Sequence, residues 1–289
     1  MLTIFDGYSS KLLEGFMSIL SFRRLAGLAL LAPALLVSPA AEAGVGDLLV
    51  APTRIVLDGR RGTEVILNNI GDDVATYRIS AELRRMTPDG RLSDVEVPTE
   101  AERTAQDMIL FAPRRITLPP NQPQTIRLSA RAPAGLADGE YRVHMLFRAV
   151  PPPRPAVAPH KIEGVAFQLT PIYGVTIPVI VRLGNLEAKA GLANVRKVVD
   201  GGKPAISLDI NRSGDRSTFG EVRVLKAGIA DPIAVVRGVA VYTELGQRSV
   251  TFPIDPAHVA DANGPVTVQY VEPTDTGPVT IAETTAVLR

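Results

Sequence analysis

Short runs of alternating hydrophobic and polar residues, separated by turn sequences, make up the chain from residue 44 onward. In the first half these runs cover Asp47–Leu57, Thr63–Asn68, Val74–Met86, Arg115–Thr117, Gln124–Ala130, Tyr141–Val150 and Val165–Val181. Turn residues such as Thr87-Pro88-Asp89-Gly90 close several of them. Period-two runs of this length and spacing predict antiparallel strands, and a set of this size predicts one β-sandwich.

A second set of similar runs follows the sequence Arg182-Leu183-Gly184-Asn185. Its members are Leu186–Val199, Ala205–Asn211, Glu221–Ala227, Ile233–Tyr242, Arg248–Ile254, Pro265–Val271 and Val279–Leu288. No segment after residue 43 shows sustained helical periodicity. The pattern therefore predicts an all-β protein with two tandem immunoglobulin-like sandwiches, over residues 44–182 and 183–289.

The N-terminal segment has the three parts of a secretory signal peptide. Arg23 and Arg24 precede the apolar run Leu25–Val37, and Ala41-Glu42-Ala43 forms a cleavage site of small residues. The apolar run is shorter than the about 20 residues that a membrane-spanning helix needs. We expect residues 1–43 to be removed on export, with translation starting at Met17.

Composition narrows the range of functions. Among 289 residues, 31 basic and 30 acidic side chains give a formal net charge of +1, so a nucleic-acid partner is not expected. The chain has no cysteine, and its three histidines, His144, His160 and His258, are scattered outside any metal-binding or hydrolase motif. We therefore predict a protein that is not an enzyme and that needs no metal or other cofactor.

Four stretches, in order along the first half, resemble the PapD-like periplasmic chaperones of chaperone–usher pilus assembly. They are Val50–Gly59 with its arginine, Phe111–Pro120 followed by Gln124–Leu128, Asp138–Pro152 with its terminal Arg and Pro pair, and the alternating segment Val165–Val181. The resemblance implies a periplasmic protein that folds and caps pilin or fimbrial subunits and delivers them to an outer-membrane usher.

The resemblance also implies a mechanism, donor-strand complementation, in which the chaperone lends a strand to an incomplete subunit. Such a strand presents large apolar side chains at every second position. Val165, Phe167 and Leu169 have this spacing and form the predicted donor strand. A buried strand of the chain's own core would show the same spacing, so that interpretation stays open. The same strand also allows a self-capping homodimer.

The family holds the C-terminal carboxylate of the subunit with an arginine on the first strand and a lysine on the donor strand. Arg54 matches the arginine, whereas the lysine position falls on Gly174, beside Tyr173. Lys161 and Arg182 are basic but do not fall in register. The predicted carboxylate anchor is therefore Arg54 with either the Tyr173 hydroxyl or a backbone N–H at Gly174. Arg54 as an ordinary surface residue of its strand stays open as the alternative. Prolines 171 and 178 further predict that this is an edge strand.

The competing function is an exported two-domain immunoglobulin-like adhesin or another cell-surface binding protein, including a pilus subunit. A subunit would have one sandwich that lacks its last strand, with a donor segment near the mature N-terminus. This chain has two strand sets, and its donor candidate lies between them. That order favours the chaperone.

Overall fold

The computed structural model describes residues 48–151 and 172–289, which form two β-sandwiches in tandem. The predicted all-β class with two immunoglobulin-like domains is confirmed. The boundary predicted between residues 182 and 183 stays a prediction. The predicted donor residues Val165, Phe167 and Leu169 lie outside the described residues, as does the predicted signal peptide.

The first sandwich has two main sheets and a hairpin. Its strands are β1 (Leu48–Ala51), β2 (Ile55–Leu57), β3 (Thr63–Asn69), β4 (Ala75–Glu82), β5 (Arg84–Met86), β6 (Leu92–Asp94), β7 (Ile109–Ala112), β8 (Arg115–Leu118), β9 (Gln124–Ala130), β10 (Gly139–Val150) and β11 (Gly174–Leu183). One sheet has the order β1-β3-β9-β7 and the other β2-β11-β10-β4-β8, while β5 and β6 pair with each other.

The second sandwich is built from seven strands in two sheets. They are β12 (Ala188–Asp200), β13 (Lys203–Gly214), β14 (Thr218–Leu225), β15 (Ala234–Val241), β16 (Gln247–Pro253), β17 (Gly264–Thr274) and β18 (Gly277–Leu288). The sheet orders are β12-β13-β16 and β15-β14-β17-β18.

Each sandwich has its own hydrophobic core, which forms because alternate side chains of every strand face inward. In the first sandwich the largest buried side chains include Tyr77 and Phe147. In the second they include Tyr270 and Leu208. The opposite faces of the strands are therefore available for contacts between the sandwiches or with other molecules.

The structure differs from the sequence prediction between residues 91 and 114, where no element was predicted. A helix, α1 (Glu100–Asp107), lies there. Thr99 caps its first turn: the Thr99 hydroxyl accepts from the Glu102 N–H, and the Glu102 carboxylate accepts from the Thr99 N–H. This reciprocal pair stabilises a short helix whose only apolar residues are two alanines. None of the helices in the described residues is long and apolar enough to cross a membrane.

Candidate functional site

Strand β11 has one edge that is only partly covered. Its whole length pairs with β10, but β2 pairs only with Val179–Val181. In the described residues, the other edge of Gly174–Pro178 is therefore unpaired, and we call these five residues the free edge. The prediction of an edge strand holds for this part and is wrong for Val179–Val181, which lie between two neighbours because the short β2 reaches them.

The free edge presents its backbone hydrogen-bonding groups outward. The Ala149 N–H donates to the Tyr173 carbonyl at 2.9 Å, so Tyr173 directs its backbone toward β10. In an antiparallel ladder the residues that do so alternate, and Gly174 and Thr176 therefore direct their N–H and C=O groups away from β10. Pro178 follows in the same series and has no N–H to leave unpaired. The free edge is thus a template for another strand.

The side chains of β11 are divided between two environments. Ile177, Val179 and Val181 are buried in the core of the first sandwich. Ile180, on the opposite face, is fully buried against the second sandwich, with Tyr242 among its neighbours. The strand therefore joins the two domains, and its free edge lies directly N-terminal to this junction.

Arg54 precedes β2 and lies in the contact between the two sandwiches. Its guanidinium Nη2 is 3.5 Å from the Ser217 hydroxyl, and its Cζ is 4.5 Å from the centre of the Phe219 ring. The second terminal nitrogen, Nη1, is buried and has no hydrogen-bond partner among the described residues. Burial lowers the pKa of Arg54. A buried donor without a partner is costly, so this nitrogen is suited to an anion.

Arg182 approaches the same serine from β11. Its Nη2 lies 3.4 Å from the Ser217 hydroxyl oxygen and donates to the Ser217 carbonyl at 3.2 Å. Its Nε donates to Glu140, whose buried Oε2 also accepts from the Ser217 N–H and hydroxyl. Arg54 and Arg182 thus converge on one hydroxyl. The sequence did not show this convergence, because Arg54 and Arg182 are far apart along the chain and meet at Ser217 of the second sandwich.

The structure does not bring Tyr173 and Gly174 to Arg54. Extending the pairing of β2 with β11 by one residue places Arg54 beside Pro178. Gly174 is four residues further along the strand, or about 13 Å away at about 3.3 Å per residue. Tyr173 and Gly174 lie at the opposite end of the free edge, and both are exposed.

An ion pair between Arg142 and Glu244 forms another part of the contact between the two sandwiches, and Arg142 also stacks on Tyr242. Arg142 donates to both carboxylate oxygens of Glu244, at 2.6 and 3.0 Å, and its Cζ lies 3.6 Å from the centre of the Tyr242 ring. The Met86 N–H donates to Glu244 at 2.8 Å. Although burial acts to raise it, the pKa of Glu244 is lowered, since the hydrogen bonds and charge of Arg142 favour the carboxylate.

His144 is buried beside this pair, with its ring 6.0 Å from that of Tyr242 in an edge-to-face arrangement. Burial lowers its pKa to about 3, and the charges of Arg142 and Arg84 act in the same direction against a weaker effect of Glu244. His144 is therefore a neutral packing residue at neutral pH. In residues 48–151 and 172–289, no group of three or more His, Cys, Asp and Glu side chains could hold a metal ion.

No protein-family model and no curated protein matches this chain. Solved structures do match it. The YadV chaperone has 16% identity over 84% of this chain and 100% of its own, with a TM-score of 0.45. The Pseudomonas aeruginosa CupB2 chaperone has 15% identity, coverage of 83% and 100%, and a TM-score of 0.45. A structure of the Salmonella enterica SafA pilin in complex with the SafB chaperone has 17% identity, coverage of 83% and 96%, and a TM-score of 0.42.

Proposed function

We propose that this chain is a periplasmic chaperone that folds and caps pilus subunits by donor-strand complementation and delivers them to an outer-membrane usher. The observation that carries the proposal is the geometry of β11. Its free edge, Gly174–Pro178, offers backbone groups that have no partner in residues 48–151 and 172–289, and it ends where Arg54 and β2 begin. The resemblance of the four sequence stretches supplies the class of partner.

Strand addition is the chemistry that this edge supports. A subunit strand placed beside Gly174–Pro178 would gain backbone hydrogen bonds from Gly174 and Thr176. The segment that carries Val165, Phe167 and Leu169 would supply the apolar side chains for the groove of the subunit. Strand pairing therefore provides affinity, and the alternate side chains provide selectivity.

We propose Arg54, together with Arg182, as the anchor for the C-terminal carboxylate of the subunit. A strand that runs along the free edge meets the start of β2, so it must end beside Arg54. The Nη1 of Arg54, which has no hydrogen-bond partner among the described residues, would then donate to the carboxylate in a charge-assisted hydrogen bond. Gly174 lies at the far end of the same edge, where its N–H and C=O would pair with the backbone of the subunit strand, and Tyr173 directly precedes it.

The edge is tested by co-expressing this chain with a fimbrial subunit from the same genome and measuring the soluble complex by affinity capture. Thr176→Pro removes an edge N–H that makes no bond to β10, and Thr176→Val retains it. We expect Thr176→Pro to reduce capture by about tenfold or more, and Thr176→Val to have no effect. Equal capture by both variants, at equal thermal stability, would exclude strand addition at this edge.

The other two parts of the proposal are tested in the same assay. Phe167→Ala should weaken capture without lowering the melting temperature of the unbound chaperone, because the side chain fills the subunit and not the chaperone. Arg54→Gln should weaken capture, whereas Arg61→Gln, at an exposed arginine of the next turn, should not. Retention of capture by Arg54→Gln would rule out the anchor.

A further inference from the structure

Three arginines lie directly opposite one another on adjacent strands of the first sandwich. Arg148 of β10 is in register with Arg78 of β4, and Arg78 is in register with Arg115 of β8. Gly174 of β11 continues the line beside Arg148. Since neighbouring strands are about 4.8 Å apart, the three backbone positions span about 10 Å. We call Arg115, Arg78 and Arg148 the arginine row.

All three side chains point away from the core. Their strand neighbours Ile79 and Phe147 are buried in the first sandwich, whereas the three arginines are exposed. Among the described residues no carboxylate, carbonyl or aromatic ring contacts their guanidinium groups. Like charges placed directly opposite on a sheet are destabilising, so the arginine row lowers the stability of the folded chain.

Most other arginines on the strands of this sandwich contact a carboxylate. Arg85 of β5 is paired with Glu102, and Arg182 of β11 is paired with Glu140 of β10. The arginine row is therefore a departure from the pattern of the same domain, and it indicates a ligand that supplies negative charge.

The surroundings of the row indicate what kind of ligand this is. The next positions on β4 and β8 carry Thr76 and Thr117, whose hydroxyl oxygens are 2.9 Å apart. On the other side lies a pocket of about 460 Å³, which is lined by Arg78 and Arg148 together with the carboxylate of Glu82 and apolar residues such as Leu146 and Ile172. Apolar residues and a carboxylate border the basic residues, so this surface favours a mixed polypeptide over the phosphates of a membrane.

We propose that the arginine row binds an acidic segment of the client polypeptide, in addition to the strand pairing at the free edge. This inference rests on the proposed chaperone function, because the row adjoins Gly174, the first residue of that edge. Carboxylates at alternate positions of an extended segment are about 7 Å apart and fit within the about 10 Å of the row. Each can take bidentate hydrogen bonds from a guanidinium group. Apolar side chains of the same segment enter the adjacent pocket.

The proposal is tested with a peptide, so that it does not depend on capture of a subunit. The probe is a short fluorescent peptide in which Asp alternates with Val and Thr, and its reference has Asn at every Asp position. Binding to the full chain is followed by fluorescence anisotropy at increasing salt. We expect the acidic peptide alone to bind, with an affinity that falls as salt rises.

The variant is the triple substitution Arg78→Gln, Arg115→Gln and Arg148→Gln, and the matched control is Arg127→Gln on the outward face of the other sheet. We expect the triple variant to bind the acidic peptide about tenfold or more weakly and the control to bind as the original chain does. Equal binding by all three proteins would overturn the proposal. A second outcome would also overturn it: the original chain binds phosphatidylglycerol vesicles but not the acidic peptide, and the triple variant no longer binds the vesicles.

The two proposals can fail separately. If the peptide binds through the arginine row while Thr176→Pro captures subunits normally, the chaperone mechanism is wrong and the acidic site stands. If Thr176→Pro abolishes capture and the triple variant binds the peptide and captures subunits unchanged, the acidic site is wrong and strand addition stands.

Discussion

One face of the sheet β2-β11-β10-β4-β8 is covered by the second sandwich at one end and is exposed at the other. At one end β10 carries Arg142 and His144, which the second sandwich covers. At the other end it carries Arg148, which is exposed and lies beside Arg78. The two arginines are six residues apart on one strand and point to the same side, because side chains alternate with period two.

The difference shows that the covering domain, and not the strand, determines what each arginine does. Arg142 is only 9% exposed, and Glu244 and Tyr242 of the second sandwich supply its partners. Arg148 has an equivalent position, and no residue in the described part of the chain covers it. An arginine at the covered end therefore stabilises the contact between domains, whereas an arginine at the open end is available to another molecule.

The largest effect is expected when Arg142→Ala, at the covered end of β10, is compared with Arg148→Ala, at the open end. Removing Arg142 leaves Glu244 partly buried without its cation, so we expect a loss of about 3 kcal/mol in the free energy of unfolding. Removing the exposed Arg148 should change it by no more than about 0.5 kcal/mol. Urea unfolding of both variants measures the difference. Equal losses would mean that burial does not distinguish the two ends.

The next test uses acid and His144. Its pKa of about 3 in the folded protein is below the about 6.5 of an unfolded histidine, so between these values only the unfolded chain takes up the proton. The free energy of unfolding therefore falls as pH drops below about 6.5, by about 2 kcal/mol at pH 5, and this contribution is absent at higher pH.

His144→Phe keeps an aromatic ring against Tyr242 and cannot be protonated. Between pH 7 and pH 5 we expect the original chain to lose about 2 kcal/mol more unfolding free energy than this variant. His258→Phe controls for the removal of a histidine as such. A variant that loses as much as the original chain would show that His144 is not the group responsible.

The smallest effect concerns the open end. Arg78→Gln removes the central charge of the arginine row, and we expect the protein to become more stable by less than about 1 kcal/mol. The gain should shrink at high salt, because exposed charges are then screened. Thermal unfolding at low and high salt measures it. A loss of stability at low salt would show that Arg78 has a favourable partner in the folded chain.

Much of the fold could be predicted from the sequence because alternation specifies which strand face is buried. The run Thr63–Asn68 and the strand β3 agree to within one residue, and a turn follows Thr87 as its Pro-Asp-Gly sequence indicates, with the Gly90 N–H donating to the Thr87 carbonyl. The sequence prediction misses helix α1, although Thr99 and Glu102 have the spacing of a capping box. A single helix-start signal is weak evidence when the segment that follows it, Glu100–Asp107, has only two alanines as apolar residues.

The candidate site was only partly predictable. Arg54 is a candidate from the sequence alone because the stretch Val50–Gly59 resembles the first strand of the PapD-like chaperones. Its neighbour Arg182 could not, since two arginines more than a hundred positions apart meet only through Ser217 of the other sandwich. The arginine row likewise depends on strand order, and no linear pattern reveals which residues of β4, β8 and β10 lie opposite one another.

Pro178 has a consequence for how accurately a second strand can be placed. Backbone hydrogen bonds repeat every two residues, so a strand that adds to a regular edge can slip by two residues at little cost. Here the repeat stops, since Pro178 offers no N–H and β2 occupies the edge from Val179 onward. The free edge therefore has a fixed end, and the position of the terminus of an added strand against that end sets its register.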